Sequence, residues 1–237
     1  MYIGRIMRVI SHLAALSFFL SLPIALLAEA PFPAERYLVH KDAEIAGQPL
    51  DHYAIDWWQW AYSMRQDRSP VHDRSGVYCH VNQSGEVWYL AGGFGTSIIS
   101  RNCTVPAGRH LFFPIINAVH YTPPEANWTC DAVHNAVTSG FQSYVHLNVT
   151  LNGTKLDPAK VLRLSPLACF DLLAKVPAEY EAPNLYPSAA DGFWMMLRPL
   201  APGTHSLSFK AINTLSPENN RNVVQDITYT LQVVPES

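Results

Sequence analysis

The residues best suited to chemistry are histidines. Of ten in the chain, nine lie beyond residue 30, and a neutral imidazole is the commonest protein ligand for a metal. His110 and His205 each open an alternating stretch, with Phe112 and Leu207 next on the same side, which places both rings at the rim of a sheet. His120 follows FFPIIN and His72 lies in the loop before Cys79, so both can approach that rim. The expected metal set is therefore His110, His120 and His205, with His72 or His134 as further ligands. No HExxH, HxH or paired Cys/His spacing reinforces it. His146 alternates with Asn148 and Thr150 and reads as solvated.

Asp131 and His134 stand three apart in an expected helix and can share a face. A carboxylate that orients an imidazole is half of a general acid and base pair. The better-supported reading is that the helix dipole favours an Asp in a first helical turn, and no serine sits in a GxSxG elbow. The sequence assigns no catalytic residue and no cofactor.

Residues 55 to 64, IDWWQWAYSM, place three tryptophans within four positions. On a helix, Tyr53, Trp57, Trp60, Ala61 and Met64 form one apolar stripe, which predicts a buried face. Asp56, Gln59 and Ser63 make the polar side. Trp58 lies on a second face and, with Trp88 or Trp194 from strands, is the expected stacking platform for a sugar or another flat ligand. Arg101, Asn117 and Asp191 sit inside largely apolar blocks. Each admits two readings, a structural anchor with a partner or a group that recognises a ligand.

The elements that must position these residues are mostly strands. VHLNVTL and ITYTLQVV alternate apolar and polar residues with period two, while GRHLFFPIIN and DGFWMMLRPL are apolar on both faces, as in the middle of a sheet. Turn signals VPAG and APG each precede a strand. The fold class is all-β (mainly β), an antiparallel β-sandwich or jelly roll of eight or nine short strands. It carries a Trp-rich N-terminal helix over residues 52 to 64 and one or two short helices, at 129 to 140 and after Ser165-Pro166. Residues 177 to 191 read as a proline-rich surface loop.

Residues 1–30 have the order of a secretory signal peptide: Arg5 and Arg8, an apolar run from Leu13 to Leu27, then Ala28-Glu29-Ala30. That run is shorter than the roughly 20 residues a membrane-spanning helix needs, and no later segment reads as a span. Pro31 hinders cleavage after Ala30 and leaves Ala28 as the alternative. Residues 31–237 then form a single β-sandwich domain, secreted or periplasmic. Removing Arg5, Arg8 and Glu29 moves the formal charge from −3 to −4, and no Lys/Arg cluster marks a nucleic-acid partner. In an oxidising compartment the four cysteines, Cys79, Cys103, Cys130 and Cys169, are expected in two disulfides. Of three possible pairings, sequence order favours Cys79 with Cys103, closing a hairpin around EVWYLAG, and Cys130 with Cys169.

Four blocks carry a resemblance. WWQW is followed by C-x3-Q-x-G-x-VWYLAG from Cys79, then R-x-C-x-VPAG-x-x-LFFPIIN from Arg101, then DGFWMML-x-PL-x-PG-x-H from Asp191. Together they resemble an uncharacterised family of secreted bacterial proteins with no known activity, from which this chain departs at Asn82 and Glu86. The resemblance implies export and a compact β-rich domain and supplies no mechanism. The expected role is non-catalytic binding of a carbohydrate, a cell-envelope component or a protein partner, with Trp58, Trp88, Arg101, Asn117, Asp191 and Trp194 as the ligand-binding set. The alternative is a metal-binding protein or metal-dependent enzyme built on the histidines.

Overall fold

A computed structural model describes residues 32–122, 125–140, 145–216 and 221–236; the expected signal segment lies outside the described residues. In chain order, and apart from three further short 3-10 turns, these residues form a 3-10 turn at Ala34–Tyr37, then β1 (Glu44–Ile45), β2 (Gln48–Pro49), α1 (Leu50–Tyr62), β3 (Val87–Tyr89), β4 (Ser97–Pro106) and β5 (His110–Tyr121). There follow α2 (Cys130–Ser139), β6 (Val145–Leu151), β7 (Thr154–Lys155), β8 (Leu162–Leu164), β9 (Ser188–Leu197), β10 (Gly203–Ser216) and β11 (Arg221–Val234). Strands β1 and β2 make a small hairpin, and the rest build a five-stranded sheet, β4-β11-β10-β6-β7, and a four-stranded one, β3-β5-β9-β8.

The two sheets face each other. Strand β4 alternates buried and exposed positions along its length, so Ile99, Arg101, Cys103 and Val105 all turn inward. Ile99, Cys103 and Val105 share one core with Leu207, Phe209, Tyr229 and Leu231 of the same sheet and with Leu111, Phe113, Met195 and Leu197 of the other. Phe113 stacks on Phe209 across the gap, ring centres 5.0 Å apart. Strands β5 and β9 are buried on both sides because α1 covers the outer face of their sheet. Trp57, Trp58 and Trp60 enter that second core with Phe112, Trp194 and Met196. The protein is mainly β, a sandwich with a tryptophan-rich helix laid on one sheet.

Two pairings are parallel, β4 with β11 and β3 with β5. Both follow from the chain changing sheets between β3 and β4, since a strand reached by a crossover can enter parallel where a tight hairpin cannot. The change of sheet also corrects one expectation. Cys79 is bonded to Cys103 and Cys130 to Cys169, the pairing favoured by sequence order. Cys79–Cys103, however, closes no hairpin, because β3 and β4 lie in different sheets. No helix forms after Ser165-Pro166 either. Phe170 bridges to Ser188 with backbone bonds in both directions and Cys169 is tied to α2, so the segment is held in turns and a bridge. Among the described residues no helix is long and apolar enough to cross a membrane.

Candidate functional site

The structure separates the predicted site residues by the roles it gives them. Trp194 is fully buried and stacks on Phe112 at 5.0 Å, Trp88 joins the core between the sheets, and Trp58 is 5% exposed. None offers an open ring face, so the stacking platform expected of these three does not exist. Trp88 and Trp194 lie in a sheet covered on both sides, by its partner sheet and by α1, and Trp58 lies on α1 itself. Asp191 is also fully buried, and both its carboxylate oxygens are engaged by Arg163, at 2.7 and 3.3 Å. Arg101 is equally committed. Its guanidinium donates to the carbonyl oxygens of Asp73, Val71, Ala91 and Gly92 and to the Tyr229 hydroxyl, at 2.7 to 3.3 Å. Asp191 and Arg101 are anchors of the fold and not ligand contacts.

The histidines do not converge. His110 and His120 stand ten residues apart on β5, which at about 3.3 Å per residue is on the order of 30 Å, so they cannot share one ion. His205 has both ring nitrogens occupied, Nδ1 by Asn152 at 2.9 Å and Nε2 by the Ala201 carbonyl oxygen at 2.8 Å. His120 stacks on Trp128, and His72 meets Phe94 at a tilt, ring centres 4.8 Å apart. His134 turns to the Leu167 carbonyl oxygen at 3.1 Å, not to Asp131. The expected His110, His120 and His205 metal set is thus overturned by strand geometry.

Trp58 and Asn117 are brought together. Asn117 faces α1 from β5, and the two line a cavity of about 90 Å³ whose wall includes Gly92, Gly93 and Phe94. Trp57 and Trp60 donate their indole hydrogens to the carbonyl oxygens of Leu90 and Val81, each at 3.0 Å. Trp58 Nε1 and Asn117 Nδ2 have no acceptor. Both nitrogens are screened from solvent as well, so this cavity presents a ligand mainly with apolar wall.

A larger pocket, of about 380 Å³, opens on the polar side of α1. Asp56 is among the residues that line it. Its carboxylate receives the Lys175 ammonium at 3.0 Å, the His52 ring one helical turn earlier at 3.5 Å and the Tyr89 hydroxyl at 3.4 Å. Burial, with the Asp56 and Tyr53 groups beside it, raises the Tyr89 phenol far above its ordinary range, so this group is a donor at any physiological pH. Tyr53 is likewise raised, by burial and by the charges of Glu86 and Asp56, and donates to the Ile45 carbonyl oxygen at 2.5 Å. Ser84 and Glu86 complete the rim from the exposed side. The pocket joins a fixed acceptor, cationic and neutral donors, and the edges of Tyr53, Trp60 and Tyr89.

Sequence reasoning assigned Asp56 to the helix's polar side without recognising a site. The signal that was there is the i, i+4 spacing of His52 and Asp56. Lys175 lies between the short helix expected after Ser165-Pro166 and the proline-rich loop expected from residue 177, and nothing in its neighbourhood announces the contact. Compared with known proteins, the chain matches no family model and no curated protein.

Proposed function

We propose that this is an extracytoplasmic, non-catalytic binding protein whose ligand is a carbohydrate or a similarly polyhydroxylated part of the cell envelope, held in the pocket around Asp56. Export is supported by the signal-like order of residues 1–30 and by two disulfides, which persist in oxidising compartments. The observation that carries the ligand class is the setting of Asp56. A carboxylate fixed by Lys175, His52 and Tyr89 lies within one pocket beside exposed donors and acceptors. A hydroxyl both donates and accepts, so a polyol satisfies such a mixed set without bringing in a net charge. The pocket volume falls within the range of small-molecule sites, roughly 300 to 1,000 Å³.

The test is isothermal titration of the mature protein with glycans first selected on an array of envelope-derived oligosaccharides. Asp56→Ala is expected to weaken binding at least tenfold, about 1.4 kcal/mol, with the bound glycan recovered intact. Retention of no glycan, or equal affinity in the variant, overturns the reading. Recovery of cleaved glycan would instead favour the His52 and Asp56 pair as a general acid and base.

A further inference from the structure

The Cys130–Cys169 bridge has a neighbour that the Cys79–Cys103 bridge lacks. Cys130 and His134 are four residues apart on α2, so they project from one face of the helix. Cys169 reaches the same face through the disulfide. The ligating atoms of Cys130, His134 and Cys169 all lie within 4.8 Å of one another, the one such trio of metal-binding residue types among the described residues. We propose that reduction of Cys130–Cys169 converts this staple into a zinc site with two thiolates, the His134 imidazole and an open fourth position.

The chemistry balances with a dithiol reductant. Two electrons and two protons from the dithiol break the sulfur–sulfur bond and leave two thiols, and the reductant departs as its own disulfide. Zinc then displaces the two thiol protons, since a metal-bound thiol is deprotonated outright. Two sulfurs and one nitrogen with a fourth position for water is an established tetrahedral zinc arrangement. Both sulfurs start in contact and the imidazole is close by, so the movement needed to reach zinc–ligand distances of about 2.0 to 2.3 Å is small. The hydrogen bond to the Leu167 carbonyl oxygen requires the proton on His134 Nε2 and leaves the lone pair on Nδ1 for a metal. A carbonyl that orients a ligating imidazole in this way raises its basicity.

Access favours this bridge over the other. Cys130, Cys169 and His134 are all partly exposed, whereas Cys79 and Cys103 are 5% and 3% exposed within the core. Leu167, two residues from Cys169, is 91% exposed, so the segment leading to the bridge is open to solvent, while Cys169 itself packs partly against Val133, Val137 and Ala189. Exposed disulfides are the labile ones and buried ones resist exchange. In the oxidised protein the two sulfurs are bonded to each other, and metal and disulfide are alternative occupants of one place.

The test titrates the mature protein with zinc alone, before and after reduction with a phosphine, with cobalt as a spectroscopic substitute. Mass spectrometry after alkylation verifies that only Cys130 and Cys169 have been opened, and near-ultraviolet circular dichroism follows the fold. The expected result is no uptake by the oxidised chain and one zinc per reduced chain. Cobalt should show a thiolate charge-transfer band, and zinc should slow alkylation of both cysteines. His134→Ala should weaken zinc at least tenfold while keeping the sulfur band. The proposal is overturned by equal uptake in the oxidised chain, by no uptake in the reduced one, or by a His134→Ala variant that binds as tightly. Loss of the fold on opening this bridge in saturating zinc overturns it as well.

Discussion

Three tryptophans within four positions of one helix have unequal fates, and the difference lies in their indole hydrogens. Trp57 and Trp58 are both buried, yet Trp57 Nε1 donates to the Leu90 carbonyl oxygen while Trp58 Nε1 meets no acceptor. Phenylalanine in either place removes similar apolar surface, but only at position 57 does it also strip a buried acceptor of its donor. Trp57→Phe is therefore expected to cost about 1 to 3 kcal/mol more than Trp58→Phe, read from urea midpoints with unchanged slopes. Equal losses would show that the Leu90 bond contributes nothing. The stripe of Trp57 and Trp60 was legible from helical spacing alone, because burial of one helix face is a periodic property. The site was not legible at the same level. Arg101 and Asp191 admit both an anchoring and a recognition reading because a charge in an apolar block demands a partner, and the sequence cannot say whether that partner is Arg163, a row of carbonyls or a ligand. His52 and Asp56 were visible as neighbours, while Lys175 arrives through a tertiary contact that no local pattern encodes.

At the scale of elements, the pair β5 and β9 joins the two cores, and its closeness at one point depends on Gly192. Asn117 and Gly192 are paired across the strands. A methyl group on Gly192 would come 2.7 Å from Asn117 Cβ and 2.8 Å from the Ile116 carbonyl oxygen, nearer than real contacts allow. Gly192→Ala must push β5 from β9 beneath α1, and overpacking of this kind costs about 1 to 3 kcal/mol. Guanidinium unfolding checks it, and a variant as stable as the parent would show that the strands can part freely there. That β5 and β9 are central was readable from apolar residues on both faces. The order of strands was not, since period two assigns a face and is silent about neighbours. The helix expected after Ser165-Pro166 fails for a related reason. Its start signal is local, and it is outweighed by the bridge of Phe170 to Ser188 and the link of Cys169 to α2.

Across the whole molecule, the two sheets are joined by a buried polar bolt as well as by the apolar core. Arg101 on β4 and Tyr229 on β11 both bond Ala91, just beyond β3 in the opposite sheet, and Arg101 also takes the Asp73 carbonyl oxygen. Burial alone would raise the Asp73 carboxyl, but hydrogen bonds from Ser75, Tyr78 and Gly76 outweigh it and hold the group below its ordinary value of 3.8. A depressed carboxyl contributes stability that is present above its unfolded value and is lost as pH falls through the folded one. His110, at the start of β5, works in a higher window. Burial lowers its imidazole below 6.5, with Glu86 opposing and Arg198 assisting. Between the folded value and 6.5 the unfolded chain binds more protons, so this contribution is complete above 6.5 and declines as pH falls below it. Acid destabilisation should therefore come in two windows that separate variants resolve. His110→Gln should flatten the loss of urea midpoint between pH 7.5 and pH 5.5 and leave the fall below pH 4, whereas Asp73→Asn should keep the first and flatten the second. If both variants follow the parent in both windows, neither the Asp73 loop nor the start of β5 controls how the sandwich responds to acid.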